Sequence, residues 1–325
     1  SYGPPSPGTF AGLIALTILI SYLSWRFVEI PLRRREKVSR RSFLIGAAGI
    51  SGMIVAIGMI GHLREGFPTR FASFESERSR TMVPSPMREK CHAYGNDYLK
   101  PSTACSYFGP KVAWAVLGDS HGVEFAYALG ELLRERNEAV LHLTFSGCQP
   151  AMTYESGSAG CTRWLREAVQ LLSGNAEIKN IVIAYRHTYY LYGSQLRDFP
   201  ESKSYGPNFL NNLPEEQARK EYWNSFGELV RQLSKNRNIY ILEPVPELGS
   251  HIERLVYKQA INPSPDRSDE IGSSIEYYKR RNKDVLHELK RYSLLRNVKL
   301  LAPSDALCDD SICYAVKGNA SLYFD

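Results

Sequence analysis

The stretch VLGDSHG, residues Val116 to Gly122, places Asp, Ser and His side by side between two different hydrophobic patterns. The apolar residues 112–116 before it predict a buried strand, and the segment 123–136 after it has the periodicity of an amphipathic helix. A serine between such elements has an exposed hydroxyl, and the helix N-terminus stabilises negative charge that develops beside it. Ser120 is therefore a candidate nucleophile, provided that a base takes its proton.

The same residues also have a purely structural interpretation. Asp119 or Ser120 can cap the helix by accepting hydrogen bonds from its free backbone N–H groups, and an isolated Asp-Ser pair favours that interpretation. His121 is not expected to be the base, because an adjacent side chain on the first helical turn points away from the serine. The surrounding elements and motifs have to decide between a cap and a nucleophile.

Predicted strands and helices alternate around this stretch. Short apolar segments rich in β-branched and aromatic residues predict strands at 111–118, 139–145, 179–186, 238–244 and 298–303. Amphipathic segments predict helices at 122–136, 162–173, 214–235 and 272–293. The alternation indicates an α/β fold with a parallel sheet and helices on both faces. Ligands of such sheets bind beyond the carboxyl ends of the strands, which is where Ser120 is expected.

Two apolar segments, Phe10–Trp25 and Phe43–Leu63, precede this part and carry no formal charge. They predict two transmembrane helices, with buried core helices as the alternative. The segment Arg33–Arg41 between them accounts for +5 of the net charge of +6, so the basicity is local and a nucleic-acid partner is excluded. The positive-inside rule places this segment in the cytoplasm and the chain after residue 64 on the other side. A signal peptide is disfavoured, because no small-residue cleavage site is obvious.

All six cysteines lie beyond the second apolar segment and fall into close pairs. An even number of cysteines in the extramembrane part is typical of disulfides in an oxidising compartment. Zinc is the alternative, but the spacings lack the CxxC pairs that structural zinc usually needs. Sequential pairing predicts the bonds Cys91–Cys105, Cys148–Cys161 and Cys308–Cys313.

Several motifs resemble those of a known family. LGDSH after an apolar strand is similar to the first sequence block of the SGNH (GDSL-like) hydrolases and transferases. TFSGCQPAM (144–152) and IVIAYRHTYY (181–190) resemble the second and third blocks of the members attached to membrane acyltransferases. LCDDSICYAVKGNASLYFD at the end resembles the lead-in to the last block, and SYLSWRFVEIPLRRR resembles the last helix of an acyltransferase family 3 membrane domain.

The resemblance implies a flavodoxin-like three-layer SGNH domain with a parallel sheet, preceded by two transmembrane helices. It implies the membrane part at 1–63, a periplasmic linker packed on the domain at 64–110, and the SGNH domain at 111–325. The implied protein sits in the bacterial inner membrane and O-acetylates an envelope polysaccharide such as lipopolysaccharide O-antigen. It binds no cofactor itself, and acetyl-CoA donates the acyl group through a preceding membrane domain. Its expected partners are that domain, the bilayer and the glycan acceptor.

The resemblance also assigns roles to single residues. Ser120 is the nucleophile, and Asp325 matches the aspartate that orients the catalytic histidine, expected three residues further on. Because the sequence ends at Asp325, this chain alone is expected to be inactive or nearly so. Gly147 is a candidate oxyanion donor or a plain turn glycine, and Arg186 or His187, in place of the usual Asn, is a candidate donor or sugar contact. No metal site is expected.

Two other functions remain open from the sequence. Serine chemistry of this kind also permits hydrolysis, so the domain could remove acetyl groups from envelope glycans with water as the acceptor. The third hypothesis is a catalytically silent glycan-binding module on a membrane anchor. The membrane segments favour acyl transfer, because a simple esterase does not need an acyltransferase membrane domain.

Overall fold

The computed structural model describes residues 7–30, 39–64, 81–193, 213–248, 251–252, 272–317 and 320–324. The chain divides into two compact units, Ser1–Ser76 and Glu77–Asp325.

The first unit contains two long apolar helices, as the sequence predicts. Helix α1 (Pro7–Ser24) continues into a π-helical turn at Trp25–Glu29, and α2 spans Arg40–Leu63. Ser39 caps α2, because its side chain accepts a hydrogen bond from the Ser42 N–H. Both helices are long and apolar enough to cross a membrane, and their apolar side chains are exposed along their length. Most of the basic segment between them lies outside the described residues.

The second unit is built on a mainly parallel sheet. Its described strands are β1 (Ser106–Tyr107), β2 (Lys111–Gly118), β3 (Glu138–Thr144), β4 (Asn180–Ala184), β5 (Asn238–Leu242), β6 (Gly272–Ser274), β7 (Val298–Leu301), β8 (Ile312–Tyr314), β9 (Val316–Lys317) and β10 (Ala320–Ser321). The main sheet has the order β1-β3-β2-β4-β5-β7, and β1 is its antiparallel strand. Numbered in chain order, the five parallel strands lie in the order 2-1-3-4-5, which is that of flavodoxin-like sheets.

Helices cover both faces of this sheet. They are α3 (Arg88–Cys91), α4 (Gly122–Leu133), α5 (Cys161–Gly174), α6 (His187–Tyr192), α7 (Glu215–Leu233), α8 (Ile275–Tyr292) and α9 (Ser304–Leu307). Side chains alternate between the faces of each strand. Ala115 and Leu117 of β2 therefore pack with the apolar faces of α5, α7 and α8, and Val116 packs with α4. The predicted three-layer α/β fold is confirmed.

Most predicted elements agree with the structure within a few residues. The start of the predicted helix 272–293 is instead the short strand β6, and the strands β8, β9 and β10 were not predicted. The other differences concern β4, the residues after it and the segment 64–110. β4 ends at Ala184 rather than 186, because the Arg186 N–H bonds to the Asp119 side chain instead of a neighbouring strand. Residues after it form α6, which the sequence pattern did not predict. The segment 64–110 also contributes a strand, since β1 pairs with β3.

The three predicted disulfides are present as Cys91–Cys105, Cys148–Cys161 and Cys308–Cys313, and they include every cysteine of the chain. The first anchors the segment before the sheet. The Cys105 carbonyl accepts a hydrogen bond from the His142 N–H, and Ser106 pairs with Leu141. This disulfide therefore holds β1 against the outer side of β3.

Candidate functional site

The carboxyl ends of β2, β3 and β4 meet at one level of the sheet. Gly118 is in register with Thr144 on one side and with Ala184 on the other. The chain passes from β2 to β3 on one side of β2, and then to β4 on the opposite side. This change of direction creates the crevice in which α/β sheets bind ligands. The three segments that follow these strand ends contain Ser120, Gly147 and Arg186.

Gly118 lets β2 and β4 approach closely at this point. A Cβ atom at residue 118 would lie 1.8 Å from the Ala184 carbonyl oxygen, which no side chain tolerates. Gly122, at the start of α4, is also in tight surroundings, because its Cβ would lie 3.0 Å from Cγ2 of Thr144. The glycines on either side of the Asp-Ser-His sequence thus allow α4 to start directly at the edge of the sheet.

Asp119 joins the ends of β2 and β4. Its side chain is buried, and its two carboxylate oxygens accept hydrogen bonds from the backbone N–H groups of His121 (2.8 Å) and Arg186 (2.7 Å). Its own N–H donates to the Ala184 carbonyl at 3.1 Å. Asp119 therefore has a structural role, although its bond goes to the N–H of His121 before α4 and no side chain caps the helix itself. It fixes the backbone on both sides of Ser120.

Ser120 has a different environment. It is half-buried, and no hydrogen bond connects its hydroxyl or its N–H group to another residue in the part of the chain that the structure describes. Its carbonyl accepts from the Val123 N–H in the first turn of α4. The hydroxyl is thus available at the crevice, while its neighbour Asp119 provides the structural contacts.

The segment after β3 presents a second backbone donor. Gly147 has a φ of +63° and occupies a turn closed by a hydrogen bond from the Cys148 N–H to the Phe145 carbonyl. The Ser158 hydroxyl donates to the Gly147 carbonyl at 2.8 Å, and Cys148 is bonded to Cys161 at the start of α5. The Gly147 N–H makes no hydrogen bond to a described residue. Gly147 is therefore a turn glycine that also leaves an N–H group free.

Arg186 and His187 differ in accessibility. His187 is fully buried among aromatic rings, and its Nδ1 lies 2.7 Å from the Tyr222 hydroxyl. Burial lowers the pKa of His187 to about 3, so the ring is neutral at physiological pH. The Arg186 side chain is 29% exposed, and its guanidinium stacks on the Tyr189 ring at 4.7 Å. Of the two residues, Arg186 is the one that reaches the surface of the crevice.

A buried ion pair stands behind Arg186. The Glu247 carboxylate, in the segment after β5, lies 3.2 Å from Nη2 of Arg186 and 2.8 Å from Nε of Arg281 on α8. The Glu247 and Arg281 side chains are 6% and 1% exposed. Neither residue belongs to a motif, and both lie far from the serine in the chain, so the sequence alone does not indicate their place at the site.

The described end of the chain is also near this site. The Tyr323 hydroxyl donates to the Pro246 carbonyl at 2.7 Å, and the Phe324 ring lies under the Arg88 guanidinium at 4.8 Å. Arg88 in turn forms an ion pair with Glu124, one turn after Ser120 on α4. The predicted catalytic residue Asp325 itself lies outside the described residues.

Two further histidines lie beside the strand ends in a hydrogen-bonded chain. Nδ1 of His92 and Nε2 of His142 both contact the Thr144 hydroxyl, at 2.8 and 2.5 Å, and Tyr107 contacts the other nitrogen of His142. Burial lowers the pKa of His92 to about 4 and that of His142 to about 3. Neither ring is therefore protonated at neutral pH.

The opposite end of the sheet carries a larger groove of about 640 Å³, lined by Glu167, Gln170 and Gly174 among others. It lies away from Ser120, Gly147 and Arg186, so its size alone does not indicate chemistry. Within the described ranges, no group of three or more His, Cys, Asp or Glu side chains could hold a metal ion.

Comparison with known proteins shows the family to which the chain belongs. The model of the family described as "SGNH domain (fused to AT3 domains)" matches residues 90–325. The chain therefore belongs to the SGNH domain family whose members are fused to AT3 domains. A search of the curated proteins finds no match.

Three solved structures are similar to the chain at low identity. They are the periplasmic domain of a lipopolysaccharide acetyltransferase from Salmonella ser. Paratyphi A (11% identity, TM-score 0.47, 71% of this chain and 80% of that chain), a putative platelet activating factor from Streptococcus pneumonia (14%, 0.33, 66% and 78%) and Est24, a carbohydrate acetylesterase from Sinorhizobium meliloti (12%, 0.36, 62% and 89%). The family assignment rests on the family model and not on these structures.

Proposed function

We propose that this protein is a membrane-anchored O-acyltransferase that transfers an acetyl group to a cell-envelope polysaccharide such as lipopolysaccharide O-antigen. The observation that carries the proposal is the position of Ser120. Its hydroxyl makes no hydrogen bond to a described residue and it lies at the switch point of the sheet; its own N–H and that of Gly147, after the neighbouring strand, also lack described partners. These are the requirements for forming an acyl-enzyme and stabilising its oxyanion.

The proposed reaction has two steps. Ser120 Oγ attacks the acyl carbonyl, forms an ester bond and displaces the acyl carrier, while its proton passes to a base. A sugar hydroxyl then attacks this ester, gives up its own proton, and regenerates Ser120. The N–H groups of Ser120 and Gly147 stabilise the negative oxygen in both steps. The base is the histidine that the family resemblance expects three residues after Asp325, and Asp325 orients it.

The two apolar helices and the fusion of the family to AT3 domains support a membrane anchor. The three disulfides of the second unit are typical of an oxidising compartment, which supports a periplasmic location for that unit. Acetyl-CoA is cytoplasmic in this proposal, so its acyl group reaches Ser120 through the membrane domain.

The test uses the intact protein in membranes, supplied with radiolabelled acetyl-CoA and the envelope polysaccharide. Ser120→Ala is expected to lower labelling of the glycan by at least about 10³-fold. The matched control is Ser106→Ala, which removes an exposed serine hydroxyl from β1 beside Leu141, away from the strand ends. A third variant, His121→Gln, is expected to retain most activity, because the proposal assigns the base to another residue.

The products separate the competing functions. Labelled glycan that disappears in Ser120→Ala supports the transferase. Free labelled acetate without acylated glycan would show a hydrolase, and glycan binding without either product would show a silent binding module. Glycan labelling that survives in Ser120→Ala would exclude Ser120 as the nucleophile.

A further inference from the structure

A continuous chain of polar contacts leads from α8 to the residue before Ser120. Arg281 binds Glu247 (2.8 Å), Glu247 binds Arg186 (3.2 Å), and the Arg186 backbone N–H binds Asp119 (2.7 Å). These contacts connect segments that are 34 to 67 residues apart in sequence. The second turn of α8 is thereby connected to the segment between β2 and α4, which contains Ser120, through the segments that follow β4 and β5.

The burial of the Glu247–Arg281 pair needs an explanation other than stability. Removing two charges from water is costly, and replacing a buried ion pair by apolar residues of similar size is often neutral or stabilising. The fold nevertheless buries both side chains almost completely at the crevice. Such a pair is better explained by a requirement for one particular geometry at this place.

Arg281 and its neighbour Asn282 also contact α6, the short helix that begins directly after Arg186. Nη2 of Arg281 donates to the Gly193 carbonyl just after α6, at 2.6 Å. The adjacent Asn282 accepts a hydrogen bond from the Thr188 hydroxyl at 2.5 Å. α8 therefore fixes both ends of the short helix that begins directly after Arg186.

Arg186 keeps binding capacity after these contacts. One carboxylate is shared between two guanidinium groups, and the closer of the two is that of Arg281. The Nε atom of Arg186 is buried and has no hydrogen-bond partner among the described residues. Its side chain lines the same cleft as His121, the residue after Ser120. An arginine with unused donors at this wall can bind an oxygen atom of the substrate.

We infer that Glu247 and Arg281 are positioning residues of the acyl-transfer site, which hold the Arg186 guanidinium at the crevice of Ser120 for a substrate oxygen. The inference rests on the proposed function and deepens it. The pair itself does not contact the reacting atoms, so its removal should slow the reaction without unfolding the protein, provided that the buried charges are removed together.

The test therefore replaces both charges at once, with Glu247→Met and Arg281→Met in one intact protein. Two rates are measured in membranes: glycan acylation, and covalent labelling of Ser120 by a fluorophosphonate probe, which reports the site without needing an acceptor. The double variant is expected to melt within a few degrees of the wild type, but to lose at least about 30-fold in both rates. In the double variant the loss of acylation is expected mainly in kcat, with a smaller change in KM.

The matched control is Arg237→Met. Arg237 is also a buried arginine, but it lies before β5 and donates to the carbonyls of Ser173 and Asn175. The Arg237→Met variant should acylate glycan and label at Ser120 at wild-type rates. A stable double variant that labels and acylates as fast as the wild type would overturn the positioning role.

A wild type that labels at Ser120 and yet acylates no glycan would refute the proposed function. If the double variant then loses labelling, the positioning role is still supported. A wild type that does not label at Ser120 would refute both.

Discussion

The two ends of the main sheet differ in how their polar side chains are bonded. At the amino end, polar groups form separate pairs. Nε1 of Trp114 donates to Glu138 at 3.0 Å, and Asn238 donates to Asn180 at 3.0 Å. Arg237 donates to the carbonyls at the end of α5, where a cation is favourable for the helix dipole. These contacts are separate from one another, and Nε of Arg237 has no hydrogen-bond partner among the described residues.

At the carboxyl end, the contacts form a chain and include buried carboxylates. Asp119 and Glu247 are the acids that are buried among the described residues, and both lie at this end. They join the segments after β2, β4 and β5 to α8. The amino end is arranged for stability, whereas the carboxyl end accepts the cost of buried charge in order to fix three segments around one hydroxyl. Substitutions at matched positions of the two ends should separate these roles.

The largest difference is expected for Asp119. Asp119→Ala leaves two backbone N–H groups buried without an acceptor, and each lost hydrogen bond to a charged acceptor is worth about 1.5–3 kcal/mol. We expect the free energy of unfolding in urea to fall by about 4 kcal/mol, together with loss of acylation. Glu138→Gln at the amino end keeps an acceptor for Trp114 and should change the free energy of unfolding by less than about 1 kcal/mol. Similar values for the two variants would contradict the comparison.

Glycines give the second pair. Gly118→Ala forces a Cβ atom to within 1.8 Å of the Ala184 carbonyl, so β2 and β4 must separate at the crevice. Overpacking of this kind is expected to destabilise by about 3 kcal/mol. A Cβ at Gly174 meets no atom within 4 Å, and Gly174→Ala should be neutral or stabilise by up to about 1 kcal/mol. Thermal unfolding of both variants measures the difference, and equal melting temperatures would refute it.

Two disulfides give the third pair of variants. Removing Cys148–Cys161 as a double alanine variant opens a loop with a sequence separation of 13 residues, and the chain-entropy relation gives a loss of about 3 kcal/mol. Removing Cys308–Cys313, with a separation of 5, should cost about 2 kcal/mol by the same relation. We expect only the first variant to lose acylation beyond its loss of stability, because Cys148 follows the Gly147 turn. Equal activity at a temperature where both variants are folded would show that the turn needs no such support.

The smallest effect concerns pH. The pKa of His187 is about 3 in the folded protein and about 6.5 in an unfolded chain, so the unfolded state binds the proton first as the pH falls. The free energy of unfolding should therefore decrease from pH 6.5 downward, by at most about 1.4 kcal/mol per pH unit from this residue. His187→Phe should reduce the slope by that amount between pH 5 and 6.

The control is His287→Gln on the exposed face of α8. It should follow the wild-type curve in urea unfolding at each pH. A His187→Phe curve parallel to that of the wild type would show that His187 does not contribute to the acid sensitivity.

The sequence predicts the layers of the second unit well, because its strands and helices have strong and different periodicities. The strands of the parallel sheet and the helices α4, α5, α7 and α8 lie within a few residues of their predicted positions. β1 was missed because two residues are too short for any period, and its pairing depends on a disulfide. The segment that forms α6 lies directly after the predicted strand 179–186, and its six residues are too few to show a helical period.

The candidate site is predicted only in part. Ser120, Gly147 and Arg186 follow strand ends, so the rule for parallel sheets brings them together without knowledge of the structure. Glu247 and Arg281 enter through the packing of α8 on the segment after β5, which no local pattern encodes. The sequence also allowed a helix cap by Asp119 or Ser120; Asp119 instead binds two backbone N–H groups outside α4, and no side chain caps that helix.

The bond between Cys91 and Cys105 has a consequence for how the protein must be produced. It keeps a two-residue strand over the outer backbone of β3, which would otherwise offer unpaired N–H and C=O groups to any neighbouring chain. Protein made in a reducing cytosol should therefore self-associate through the exposed edge of β3, even where its hydrophobic core has folded. Secretion to an oxidising environment, or oxidative refolding at low concentration, should give the soluble form.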